Sequence, residues 1–265
     1  MRVAAAAAIA LAPFAAADAQ SVFRAVHDNG FFVPFNAGNA ATVKYGDSGW
    51  LSANGTATYT LTSITLGLAV ANSTAVGSTD IIFTFNDGDP SGLVFGPGTV
   101  LYSTTIQAVE LPDASGSNGL ALFELTIPLP NVRTTGGFNN VGWSIALANY
   151  QSNGQFGFLC SKSTGQQVGS YTNNASFYNG TSWSLFSFGA DPVTGVANFA
   201  ADIVGGITPA CYADCDGIGG LTGNDFQCFL DAFVSNSTYA NCDGVGGLTG
   251  NDFQCFLDKF VAGCS

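Results

Sequence analysis

The chain has 265 residues, 47% of them apolar, and carries 18 acidic against six basic side chains for a net charge of −12. So few Lys and Arg exclude a nucleic-acid partner and an anionic membrane surface, both of which are held by clusters of them. Divalent cations remain compatible.

Residues 1–19 read as a secretory signal peptide. Arg2 precedes an Ala-rich apolar run, and Ala17-Asp18-Ala19 fits a small-residue cleavage site before Gln20. The run is shorter than the roughly 20 residues a bilayer span needs. No later stretch is long and apolar enough, so the expected mature chain has no transmembrane segment and is secreted, extracellular or at the cell surface. Seven cysteines in an exported chain point to disulfides; six lie between Cys211 and Cys264, with Cys160 alone.

Residues 20–205 read as a β-sandwich of Ig-like or jelly-roll type. Runs rich in Thr, Val, Ile and Phe recur between Gly, Asn, Ser and Asp clusters. Strands are expected at Ala41–Tyr45, Thr56–Leu61, Ile64–Ala71, Asp80–Phe85, Thr99–Thr104, Leu120–Ile127, Gly142–Ala148, Gln155–Cys160, Ser182–Phe188 and Val196–Ile203. Ala121, Phe123, Leu125 and Ile127 share an inward face, which turns Glu124 to water. A linker over 206–210 leads to a small tail, 211–265.

The tail is a duplication. Cys215–Val234 recurs at Cys242–Val261, and only Ile218/Val245 and Ala232/Lys259 differ. Each copy opens on a twelve-residue stretch that matches an EF-hand-type calcium loop, which wants oxygen at positions 1, 3, 5, 7, 9 and 12 and Gly at 6. The first copy offers Asp214, Asp216, the Gly220 carbonyl, Thr222 and Asp225 at positions 1, 3, 7, 9 and 12. The second offers Asn241, Asp243, the Gly247 carbonyl, Thr249 and Asp252. Gly219 and Gly246 occupy position 6. Position 5 is Ile218 or Val245, so both loops lose one ligand and calcium affinity should drop. The alternative is a loop held by disulfides and glycines alone. Thr222 and Thr249 with Asp225 and Asp252 resemble capping boxes. Phe226, Phe229, Leu230 and Phe233, with Phe253, Phe256, Leu257 and Phe260, form one apolar stripe on each following helix. Packed together about a two-fold axis, the helices hide both stripes.

With loop, stripe, cysteines and duplication in agreement, the tail resembles a dockerin, closest to the GC-type variety with its terminal Gly263-Cys264. The resemblance covers about a fifth of the chain. It implies docking onto a cohesin-like partner or another cell-surface scaffold protein, with calcium in the loops. Helix geometry sets the cysteine pairing. Cys228 lies about 200° round the helix from Phe226, near its own loop, so Cys215 should meet Cys228 and, by symmetry, Cys242 should meet Cys255. Cys211 and Cys264 flank the module, where an antiparallel helix pair brings its ends together.

No catalytic constellation stands out in residues 20–205. His27 is the one histidine, and no G-x-S-x-G or H-E-x-x-H occurs. Asp87-Gly88-Asp89-Pro90-Ser91-Gly92 reads as an Asp-Gly turn, with a calcium site as the sharper alternative. Trp50, Trp143 and Trp183 with Phe177 and Tyr178 are core, or else a sugar-stacking platform. The expected role is a non-catalytic binding or structural domain displayed by the tail. The alternatives are a carbohydrate-binding module for polysaccharide, or a polysaccharide-degrading glycoside hydrolase or lyase.

Overall fold

A computed structural model describes residues 20–26, 28–35, 41–52, 58–96, 98–116, 118–134, 140–162, 166–189, 195–207, 211–215 and 221–263. The expected signal peptide, His27, Asp216, Ile218, Gly219, Gly220 and Cys264 lie outside these residues.

The chain is mostly β, two packed antiparallel sheets followed by a small helical module. The first sheet runs β10 (Gln166–Val168), β1 (Gln20–Ala25), β15 (Ala201–Ile207), β4 (Tyr59–Ala71), β9 (Gln155–Ser161), β14 (Asn198–Phe199). In addition β2 (Asp28–Phe35) pairs with β9, and β7 (Leu120–Arg133) pairs with β4. The second sheet runs β13 (Trp183–Phe186), β12 (Ala175–Tyr178), β3 (Lys44–Trp50), β8 (Asn140–Gln151), β5 (Gly77–Asp87), β6 (Thr99–Leu111), with β11 (Ser170–Tyr171) beside β3. Between them lies one core that includes Phe23, Phe35, Phe83, Phe85, Trp143, Phe156, Phe158 and Phe199.

β4 shows how pattern becomes strand. Ile64, Leu66, Leu68 and Val70 alternate inward, and Thr65 turns out to meet Thr126 of β7 at 2.8 Å. The two strands expected at Thr56–Leu61 and Ile64–Ala71 are one: a bulge at Leu61/Ser63 interrupts the alternation without ending the strand. The expected Val196–Ile203 is instead divided between β14 and β15, and β15 runs on through Gly205, Gly206 and Ile207, into the expected linker.

β3 was expected to end at Tyr45 but extends from Lys44 to Trp50, across Gly46, Asp47 and Gly49. These residues are poor strand formers in isolation, and tertiary contacts explain them. The loop after β5 folds back over the outer face of the second sheet. There a Cβ at Gly46 would lie 2.9 Å from Pro90 Cγ, and one at Gly142 2.5 Å from Pro90 Cδ. Asp47 points the other way, into the core, fully buried. Its Oδ2 accepts the Phe199 amide of the opposite sheet at 2.7 Å, and its Oδ1 accepts the Ser48 amide at 2.8 Å. The Tyr171 hydroxyl donates to the Phe199 carbonyl. Both backbone groups of Phe199 are thus held by side chains from the facing sheet. Burial pushes the Asp47 carboxyl well above its ordinary range, and it does the same to the Tyr171 phenol, with the Asp47 charge adding to it.

Candidate metal loops and surface sites

The helical module is built from its caps upward. Helix α1 (Gly223–Val234) starts at Thr222, whose Oγ1 accepts the Asn224 amide at 3.2 Å, while Asp225 Oδ2 accepts the Thr222 amide at 2.7 Å. Helix α2 (Gly250–Ala262) repeats this with Thr249, Asn251 at 3.2 Å and Asp252 at 2.8 Å. Both boxes close with Asp in the place of the usual Glu, and both carboxylates are buried. The Thr249 amide, with help from that of Asp243, holds the Asp252 carboxyl below its ordinary range.

The aromatic stripes meet as the spacing predicts. Phe229 stacks on Phe256 with ring centroids 4.0 Å apart and planes 11° apart. Ala213, Phe229, Ala240 and Phe256 form a buried core of their own, distinct from that of the sandwich, with Leu221 and Leu248 packed on it. Cys215 is bonded to Cys228 and Cys242 to Cys255, each pair with Cα atoms 5.8 Å apart, so each loop is tied to its own helix. Cys211 is also disulfide-bonded. Cys160 is a fully buried thiol in the sandwich.

One part of the module escaped the sequence reading. Tyr212 and Tyr239, 27 residues apart, stack at 4.9 Å and exchange hydroxyl-to-carbonyl hydrogen bonds. The repeat therefore starts earlier than Cys215: Tyr212-Ala213-Asp214 matches Tyr239-Ala240-Asn241, a likeness visible in the sequence at the same offset. Lys259 Nζ lies 4.5 Å over the Tyr212 ring. Its counterpart in the first copy is Ala232, so the two-fold is broken here.

Of the calcium donors, Asp216 and Gly220 lie outside the described residues. In the second loop Asn241 Nδ2 donates to the Gly246 carbonyl at 3.1 Å, while Asn241 Oδ1 is buried without a hydrogen-bond partner. Asp243 Oδ1 accepts the Val245 amide at 2.8 Å, and Asp252 Oδ1 accepts the Asp243 amide at 3.3 Å. Val245 turns its side chain to solvent. Gly244 and Gly246 take positive φ, both 71°, which favours glycine. Among the described residues no three His, Cys, Asp or Glu side chains converge on one point. The loop nevertheless fits calcium in donor type, which is all oxygen, and in the orphaned Asn241 oxygen at position 1. The position that Val245 occupies is left unfilled.

The sandwich surface sorts the other candidates. Asp89 is buried and accepts the amides of Ser91, Leu93 and Val94 at 2.8–2.9 Å and the Ser91 hydroxyl at 2.6 Å. Its carboxylate organises its own loop, the turn reading of that motif. The five candidate aromatics do not make one platform. Trp143 is core; Trp50 packs edge-on to Phe95; Phe177 packs against Tyr45. Tyr178 and Trp183 remain together at the sheet edge, 5.4 Å apart and inclined 49°, with Lys44 over Tyr178. Glu124 faces water and lines a groove of about 480 Å³ on the first sheet, together with Thr65, Gly67, Leu122, Arg24 and Asp202. Arg24 is paired to Asp202 at 2.6 Å and donates to Gln167 at 2.8 Å.

No protein-family model and no curated protein matches the chain. Among solved structures, the T13 IBDV viral particle aligns with a TM-score of 0.28 at 13% identity, over 76% of this chain and 42% of that one. The Gt strain of infectious bursal disease virus aligns with a TM-score of 0.27 at 13% identity, over 76% and 40%. The aligned part spans less than half of those chains, and a likeness this low carries no argument.

Proposed function

We propose that this is an exported protein displayed through its C-terminal module, which docks like a dockerin onto a cohesin-like or other cell-surface scaffold protein. The sandwich is its non-catalytic binding or structural cargo. The observation that carries this reading is the closed, duplicated module: two loop–helix units with reciprocal caps, matched cystines and a stacked Phe229–Phe256 centre, possessing a core apart from the sandwich. A duplicated unit that is complete in itself suits an attachment role better than a catalytic one. Export through residues 1–19 belongs to the same reading. Calcium, where bound, would be held in the second loop by Asn241, Asp243, the Gly247 carbonyl, Thr249 and Asp252, and would supply a hard cation that rigidifies the loop against its helix.

The test is affinity capture of cell-surface proteins by the full chain, with and without calcium, against a variant that ends at Ile207 and so keeps the sandwich core but lacks the module. Capture of one surface protein by wild type and its loss in the variant supports docking. Equal capture by both sinks it.

A polysaccharide role is the second reading, favoured by the groove that brings Glu124 and Asp202 together beside Arg24 and the apolar Leu122. Release of reducing ends from a neutral polysaccharide, abolished by Glu124→Gln, would put the enzyme ahead of the binding module. Retention on the polysaccharide without turnover would favour a carbohydrate-binding module.

A further inference from the structure

Among the described residues, the strands that end the two sheets are guarded, with one exception. β2, which pairs with β9 alone, carries Asp28 and Pro34. β13 has four residues and β10 three, too short to template another strand. β7 pairs only with β4 among the described strands, and it carries Pro128, Pro130 and the exposed Glu124. Proline and charge are the usual protections of an open edge. β6 has neither. It is 13 residues long, has no proline, and has no charge before Glu110. The one strand it hydrogen-bonds to among the described residues is β5.

Two irregularities bracket a straight stretch in β6. The register with β5 shifts between Phe85 and Asn86 and again between Thr79 and Ile81. The second shift accompanies Ala108, at φ 52°, whose amide donates to Asp80 Oδ1 at 2.8 Å. Between them, Tyr102, Thr104 and Ile106 stand opposite Phe85, Phe83 and Ile81 on the core face, yet they are only half-buried because the sheet stops there. Ser103 and Thr105 face out, exposed.

We propose that the open edge of β6 pairs, antiparallel, with β6 of a second copy of this chain about a two-fold axis through Thr104. This register sets Tyr102 against Ile106 of the other copy twice, an aromatic–β-branched pair on the core face. It also sets Ser103 against Thr105 twice, a hydroxyl pair on the outer face. Charge selects the occupant. Two copies that each carry −12 repel, but they meet here on a stretch with no charge, so no like charges face each other. A strongly acidic or basic partner strand would find no counter-charge. The bulges confine the pairing to a few residues, so the association is weak.

Sedimentation velocity on the processed full chain across a concentration series tests this. The expected result is a concentration-dependent shift toward the dimer. It should vanish in the Ser103→Lys, Thr105→Lys double variant, which opposes lysines across the axis, while the melting midpoint stays at the wild-type value. Thr104→Cys should form a disulfide-linked dimer under mild oxidation, because directly opposed Cβ atoms lie about 4.5–5.5 Å apart. Glu110→Cys, beyond the bulge, should not. Should the lysine variant fail to fold, the cysteine pair decides. A monomer at every concentration, a dimer that survives the lysines in a folded chain, or equal cross-linking at 104 and 110 would overturn the proposal.

Discussion

Tyr212 and Tyr239 each donate their hydroxyl to the other's backbone carbonyl, with the rings stacked 12° from parallel. Neither half of the module can make this contact alone, so the two copies fold as one unit. Burial, with the neighbouring Tyr212, Asp225 and Asp214, raises the Tyr239 phenol to about 12. A phenol raised by folding holds its proton more tightly in the native state. Its contribution is therefore full below the ordinary value of 10.0 and is lost as pH rises toward about 12. Near-UV circular dichroism of the tail should decay across that window. Tyr239→Phe should reduce the pH dependence, leaving the part that comes from the Tyr212 phenol, which burial also raises, and lower tail stability by about 1 kcal/mol, the worth of one hydrogen bond.

Reduction should unfold the module long before the sandwich. Each cystine closes a loop of sequence separation 13, typically worth about 2–4 kcal/mol, and the module's own core is small. Hydrogen exchange with and without reductant should show protection lost in α1 and α2 while β4 and β8 keep theirs. Cys160, fully buried, should resist alkylation until the sandwich itself unfolds.

Replacing Phe229 by Ala should cost about 3–5 kcal/mol, because the ring is fully buried and stacked at the module's centre. Chemical denaturation should show this in the helical transition and leave the β transition in place.

Calcium titration calorimetry should report affinity of roughly 10⁻⁴–10⁻³ M, the range of extracellular modules. Val245→Asp restores oxygen at the one position where the second loop has an apolar, outward side chain, and should tighten binding. Asp243→Ala should abolish binding at that loop with the helix cap intact. Heat no greater than buffer from a folded, oxidised chain would leave the loops as disulfide-held structure alone.

In the sandwich the sign of the pH effect reverses the usual carboxylate case. Folding raises the Asp47 carboxyl, first through burial, so its contribution is full below its ordinary 3.8 and is lost as pH rises through the raised value. Asp47→Asn cannot titrate. The difference in melting midpoint, variant minus wild type, should therefore move in the variant's favour as pH rises from acid toward neutrality. A difference that does not change with pH would contradict this.

Much of this architecture was legible in residue order. The alternation in β4 and β7, the two Phe stripes and the Thr–Asp caps are local signals, and they appear where periodicity places them. What stayed hidden depends on contacts between distant segments. Gly46, Asp47 and Gly49 sit in a strand because Pro90 covers one face and Phe199 needs a carboxylate on the other, and neither is visible within a short window. No short window marks β1, β2, β10, β11 or β12, and β12 is held in place by pairing with β3 and β13. The Tyr212–Tyr239 pair recurs at the repeat offset but lies upstream of Cys215 and Cys242, where the near-identity begins. The aromatic residues misled as a group, because composition cannot separate the buried Trp143 from the edge pair Tyr178–Trp183.

β15 lies between β1 and β4 and is the strand from which the tail departs, past Ile207. A protein held by its tail would feel any pull from flow or surface motion enter the sandwich along that strand. Hydrogen bonds to β1 on one side and β4 on the other stand across the line of force and would be loaded in shear together, rather than opened one at a time from a free border. Gln20 faces Gly205, so the first strand after the expected cleavage point reinforces the place where the load arrives. Trimming β1 would then weaken the mechanical seat of the tether more than it would weaken the resting fold.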